Sequence, residues 1–173
     1  HEKIGNSEQL TAVIADNYYK LLAGKDEYEV ARLYSDGQFE QTISEMFEGD
    51  FKLAYHVGRN LLTPEDPNAD RLKKRKFGPW FKSALGLLNS AKGIRGTVLD
   101  PFRYTADRRR DRKLLSDYEQ TIQKIMSNLS EETLDLTSEI AALPSDIRGF
   151  GVVKDRSILA TKKREDALLA QLD

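Results

Sequence analysis

Along most of this 173-residue chain apolar residues return every three or four positions, the period of an α-helix, and that spacing constrains the fold more than any other feature. Leu10, Val13, Ile14, Tyr18, Leu21 and Leu22 make one stripe of a helix that Ser7 would cap and Gly24 would stop. Val30, Leu33 and Tyr34 predict the inward face of a second helix over about 26–35. After the Asp36-Gly37 break, Phe39, Ile43, Met46 and Phe47 predict a third that ends near Gly49. Leu114, Leu115, Tyr118, Ile122, Ile125, Met126 and Leu129 mark the longest helix, capped by Thr105. Ser130 opens another that runs through Leu134, Ile140 and Leu143 to Pro144, and Ile158, Leu159, Leu168, Leu169 and Leu172 line a last one. Each stripe needs a partner to cover it, so the expectation is a mainly α, compact bundle of six or seven helices.

One region leaves the helical period. Phe51, Leu53, Tyr55 and Val57 alternate with Lys52, Ala54 and His56, as a half-buried strand does, and the basic run over 73–78 could return against it. That predicts a small hairpin of 51–57 with 73–78, closed by a mobile loop over about 63–72 that contains Thr63-Pro64-Glu65-Asp66-Pro67-Asn68. Pro79 suits a first helical position. Trp80, Phe81, Ala84, Leu85, Leu87 and Leu88 then predict a broadly apolar helix, central to the core and ending by Gly93.

The length is that of one domain, and 39% hydrophobic with 32% charged residues suits a globular chain. With no cysteine, disulfides, zinc–thiolate sites and thiolate-ligated iron–sulfur clusters are excluded within the chain, and two histidines cannot supply a His-rich metal site. No apolar run approaches the ~20 residues that span a bilayer, and no signal-peptide pattern opens the chain, so a cytoplasmic protein without a membrane partner is expected. Beginning without Met and entering a helix almost at once, it has the look of a single helical domain, 1–173, excised from something longer.

Charge is segregated. Residues 71–113 hold 14 Lys or Arg against 3 Asp, while 1–70 sum to −8 and 114–173 to −4. Such a distribution points to an internal electrostatic match or to an anionic partner. Six cations stand out as candidates for anion binding or domain docking. Arg75 and Lys76 precede Gly78-Pro79-Trp80, and Arg95 sits in the Gly93-Ile94-Arg95-Gly96 turn. Arg108 and Arg109 open the long helix against its dipole preference, and Arg148 leads Arg148-Gly149-Phe150-Gly151. The Gly93–Gly96 turn could offer N–H groups to a phosphate, but it lacks the lysine-serine pair and strand–glycine–helix context of a P-loop, and a helix stop is the simpler account. The run 108–113 could meet phosphates of a nucleotide, coenzyme A or RNA, or acids of a neighbouring domain, or be a solvated face with Asp111 and Asp117. Nucleic acid is disfavoured, because the pI is about 6.2 and the aromatics stand at core spacing. Phe77, Trp80 and Phe81 could stack a ring-bearing ligand, but beside Leu85 and Leu88 they are expected in the core. Phe150 between two glycines is expected to pack as an aromatic plug. His56 has no nucleophile or carboxylate at motif spacing, and no catalytic set emerges.

Six blocks in order, Val30–Tyr34, Phe47–Leu53, Arg75–Trp80, Gly93–Thr97, Asp100–Arg109 and Ile147–Lys154, resemble the C-terminal region of the fused indolepyruvate ferredoxin oxidoreductases, a family of thiamine-diphosphate-dependent 2-oxoacid:ferredoxin oxidoreductases. The resemblance runs from about Tyr28 to the end. It implies a parent enzyme that oxidatively decarboxylates aryl 2-oxo acids to acyl-coenzyme A with ferredoxin as acceptor. Thiamine diphosphate, magnesium and iron–sulfur clusters would lie in the parent's other domains, since this chain has neither the Gly-Asp-Gly motif nor a thiol. The basic centre beside acidic flanks, with its glycine turns, makes the expected role that of an accessory domain, without activity of its own, that docks on the parent's remaining domains or subunits through Arg75, Lys76, Trp80, Arg95, Asp100, Arg108, Arg109 and Arg148. The alternative is an anion-binding module for coenzyme A phosphates or ferredoxin carboxylates through the basic 71–113 segment. An RNA-binding helical domain ranks behind both.

Overall fold

The structure, a computed structural model, describes residues 7–24, 26–57 and 75–172. They form α1 (Ser7–Leu22), α2 (Glu27–Ser35), α3 (Gln38–Met46), β1 (Tyr55–Val57), β2 (Arg75–Phe77), α4 (Phe81–Ser90), α5 (Ala106–Ser127), α6 (Leu134–Ala142) and α7 (Val152–Leu169). Short 3₁₀ turns follow α4, precede α5 and follow α6. The mainly α fold with one small hairpin is thus the one its periodicities call for. The contacts divide the chain into two units, residues 1–24 with 109–173 and residues 25–108.

In the first unit Leu10, Ile125, Ile140, Ala141 and Leu143 form the buried centre, and Val13, Ile14, Ile122, Leu168 and Leu169 close around it. Burying a side chain the size of Leu10 or Ile125 contributes roughly 2–3 kcal/mol. Polar groups that would be stranded here find partners. The Tyr118 hydroxyl donates to the Ala141 carbonyl at 2.9 Å, and burial pushes that phenol up to about 12. Lys20 Nζ donates to the carbonyls of Pro144 and Ser145 at 2.9 and 2.8 Å, satisfying acceptors past the end of α6. Burial lowers the Lys20 ammonium below its ordinary range. Ser130 opens a turn with Thr133 rather than the helix itself, and α6 begins at Leu134. Phe150, expected as a plug, is 67% exposed. The tightness of that connection belongs to Gly149 instead: its φ is +87°, and a Cβ there would sit 2.5 Å from Val153 Cγ1.

In the second unit Ala31, Tyr55 and Leu85 are the buried centre, flanked by Tyr34, Leu53, Phe77, Phe81 and Leu88. The inward face of α2 is Tyr28 and Ala31, with Tyr34 half-buried. Leu33, expected inside, is exposed because it lies on the other side of the helix from Ala31's partner α4. The nine residues of α3 include no buried one; the helix is held by the Tyr34–Phe39 ring contact at 4.9 Å, while Met46 and Phe47 face outward. The hairpin pairs Tyr55 with Phe77, His56 with Lys76 and Val57 with Arg75. Regular pairing is shorter than the alternation from Phe51 suggests, since 51–54 are irregular. The expected loop over 63–72, with Lys73 and Lys74, lies outside the described residues. Helix α4 starts at Phe81, after a turn in which Phe81 N donates to the Gly78 carbonyl at 3.1 Å. Its core side is Phe81, Leu85 and Leu88, whereas Trp80 is 64% and Leu87 75% exposed, so only part of this apolar helix enters the core.

Candidate functional site

The second unit gathers the richest polar arrangement around the start of α2. Asp26 caps that helix, its Oδ1 accepting from Tyr28 N at 3.0 Å. Arg95 Nη2 lies 2.8 Å from Asp26 Oδ2, a charge contact rather than an aligned hydrogen bond. Arg108 Nη2 lies 3.7 Å from Asp26 Oδ1 and donates to Glu27 Oε2 at 3.1 Å. Two of the six candidate cations therefore converge on carboxylates at the N-terminus of α2, where the helix dipole already favours negative charge.

Next to it Asp100, only 5% exposed, organises the loop between α4 and α5. Its carboxylate accepts from Gly96 N at 2.8 Å, Phe102 N at 3.0 Å and the Tyr28 hydroxyl at 3.1 Å. Burial alone would raise this carboxyl, but the N–H and hydroxyl donors outweigh it and hold the group below its ordinary value. Tyr28 moves the other way, raised first by burial and then by its bond to Asp100. The ring of Tyr28 meets Phe102 edge-on at 5.2 Å. Arg103 Nη1 donates to the Gly96 carbonyl at 2.8 Å and the Tyr104 hydroxyl to the Val98 carbonyl at 2.9 Å. The N–H group of Gly96 that a phosphate could have engaged is thus taken by the chain's own carboxylate, and Asp100 faces inward rather than toward a docking surface.

The basic start of α5 is answered locally as well. In the first unit Arg110 pairs with Asp155 at 2.7 Å, Asp111 with Lys154 at 2.7 Å, and Lys113 with Asp117 at 3.0 Å. Arg75, Lys76, Arg109 and Arg148 are exposed and make no ion pair among the described residues. The backbone N–H of Arg148 donates to Ser157 Oγ at 3.1 Å. Within the second unit Arg95 and Arg108 share Asp26 while Arg75 and Lys76 lie on β2, and Arg109 and Arg148 belong to the first unit. Sequence reasoning missed Asp26, Glu27 and Tyr28, although Asp26 immediately before an apolar helix is a capping signal that would have marked the first.

No group of three or more His, Asp or Glu suited to a metal occurs among the described residues, and no helix among them is long and apolar enough to cross a membrane. A cavity of about 20 Å³ in the first unit, lined by Leu114, Tyr118, Ile140 and Glu165 among others, has room for about one water. What the surface does offer is aromatic. Phe77 stacks on Phe81 at 4.5 Å, and Trp80 stands edge-on to both, at 5.9 and 5.7 Å.

No curated protein and no solved structure matches the chain. Its residues 1–167 match the family described as a family of unknown function, DUF6537. A match over nearly the whole length makes this protein a member of the DUF6537 family.

Proposed function

We propose that the chain is an accessory docking domain of a thiamine-diphosphate-dependent indolepyruvate ferredoxin oxidoreductase, a cytoplasmic enzyme that converts aryl 2-oxo acids to acyl-coenzyme A with ferredoxin as acceptor. The six ordered sequence blocks suggest the parent. The observation that carries the role is how those blocks are used: Gly93–Thr97 and Asp100–Arg109 spend their polar groups on Asp100 and Asp26, while Trp80 in the Arg75–Trp80 block remains outside. Chemistry-bearing residues that hold a shape, beside an aromatic side chain left uncovered, favour a protein that presents a surface over one that turns over a substrate.

The parent's iron–sulfur clusters need thiolates, of which this chain has none. In this reading thiamine diphosphate, magnesium and the clusters are carried by the parent's other domains. The anion-binding alternative retains Arg75, Lys76, Arg109 and Arg148 but must share Arg95 and Arg108 with Asp26 and Glu27, which weighs toward docking. Mixing the 173-residue chain with the remainder of the oxidoreductase and resolving the mixture by size is the direct trial. A co-eluting complex is expected, and separate elution at micromolar concentration would remove the reading.

A further inference from the structure

Helix α4 carries two apolar stripes. Phe81, Leu85 and Leu88 face the core, and Trp80, Ala84 and Leu87 repeat the same i, i+4, i+7 spacing about 100° further round. The second stripe is uncovered at every position: Ala84 is exposed like Trp80 and Leu87, and helical backbone already at Trp80 (φ −57°, ψ −24°) extends it over roughly 10 Å. Its tryptophan is held rather than loose, braced edge-on by Phe77 and Phe81, with Gly78 close beneath it.

The charge around this stripe has one sign. Residues 75–99 contain five Lys or Arg and no Asp or Glu. Glu40 answers Lys82 at 2.5 Å and Asp26 answers Arg95, but Arg75 and Lys76 have no ion pair among the described residues. Arg75 and Phe77, two apart on β2, share a strand face, so this cation lies on the side that continues through Phe77 to Trp80.

We propose that the Trp80, Ala84 and Leu87 stripe with Arg75 binds an acidic amphipathic segment of a partner protein, apolar side chains against the stripe and a carboxylate toward that cation. This rests on the docking role above and names its surface and the chemistry of its partner. A protein segment fits better than a nucleic acid, because stacking platforms need successive aromatic faces and here aliphatic Ala84 and Leu87 follow the single exposed ring.

Trp80 is the only tryptophan, so its emission reports this surface alone. The 173-residue chain is titrated with a short amphipathic peptide of Leu and Glu, its Leu and Lys counterpart, poly(U), and vesicles containing phosphatidylserine. The expected result is a saturable blue shift with the Leu/Glu peptide only, and an affinity at least about tenfold weaker in Leu87→Asp and in Arg75→Glu, with unchanged melting temperatures. No shift, equal affinity in the variants, or a stronger response to the Leu/Lys peptide, poly(U) or vesicles would overturn the proposal. The same variants separate the two claims in the size-resolved mixture. If the native chain and Leu87→Asp both co-elute with the oxidoreductase remainder, docking stands and this surface falls. If the Leu/Glu peptide binds as expected while no complex forms with that remainder, the surface stands and the parent enzyme falls.

Discussion

Asp100 shows how much of the second unit rests on one carboxylate. Three donors converge on it from α2 and from both sides of its own loop, so Asp100→Asn should replace a charge-assisted acceptor with a weaker one and leave a donor unmet, at a cost of about 1–3 kcal/mol in a urea titration. The sign with pH follows from its lowered value in the folded chain. The stability it contributes is present above the ordinary carboxyl range and is lost as pH falls through and below that range. Acid titration of the native chain should therefore show a loss that Asp100→Asn lacks, and parallel acid curves for the two would contradict it. At Gly149 the constraint is steric. An alanine there must adopt φ near +87° and displace Val153, so Gly149→Ala should cost about 1–3 kcal/mol. Gly93→Ala, with open space and no positive φ, should stay within about 0.5 kcal/mol in the same melts.

The elements divide by how many of their faces are used. Helix α4 has an inner stripe that the core requires and an outer one that it does not. Leu85→Ala should lose about 2–5 kcal/mol through transfer and cavity costs, and Leu87→Ala should remain within about 0.5 kcal/mol. Equal losses in chemical denaturation would mean that the outer stripe is structural after all. Helix α5 illustrates the electrostatic counterpart. Cations near its start oppose the dipole, yet Arg108 meets Glu27 and Arg110 meets Asp155, so local carboxylates offset the misplacement. Asp155 is half exposed, and pairs of that kind contribute roughly 0–1 kcal/mol, which makes them neutralising contacts more than sources of stability.

For the molecule as a whole, a formal net charge of −1 and a pI of about 6.2 leave little self-repulsion to keep uncovered apolar stripes apart. Light scattering of the chain should peak near pH 6.2 and fall by pH 8, and Leu87→Asp should lower the peak. A flat scattering profile in both proteins would show that the α4 stripe does not drive association. At this scale part of the charge segregation seen along the sequence is answered, Arg95, Arg108, Lys82 and Arg110 of the basic centre having met Asp26, Glu27, Glu40 and Asp155 within each unit.

The sequence by itself determined the elements. Period 3.6 placed the helices, period 2 placed the hairpin that pairs Tyr55 with Phe77, and Gly and Pro placed most of the breaks, because these depend on residues within a turn or two of one another. It also settled that no thiolate chemistry occurs here. Only the tertiary structure decided which apolar stripe of each helix is covered: Leu85 in and Leu87 out, Ala31 in and Leu33 out, Phe150 on the surface. Apolarity states that a side chain would gain from burial, but whether a partner surface reaches it is set by residues distant in the chain. The same holds for Arg95 and Arg108, whose carboxylates lie about 70 and 80 residues away along the chain and come within ion-pair distance only once α2 is packed.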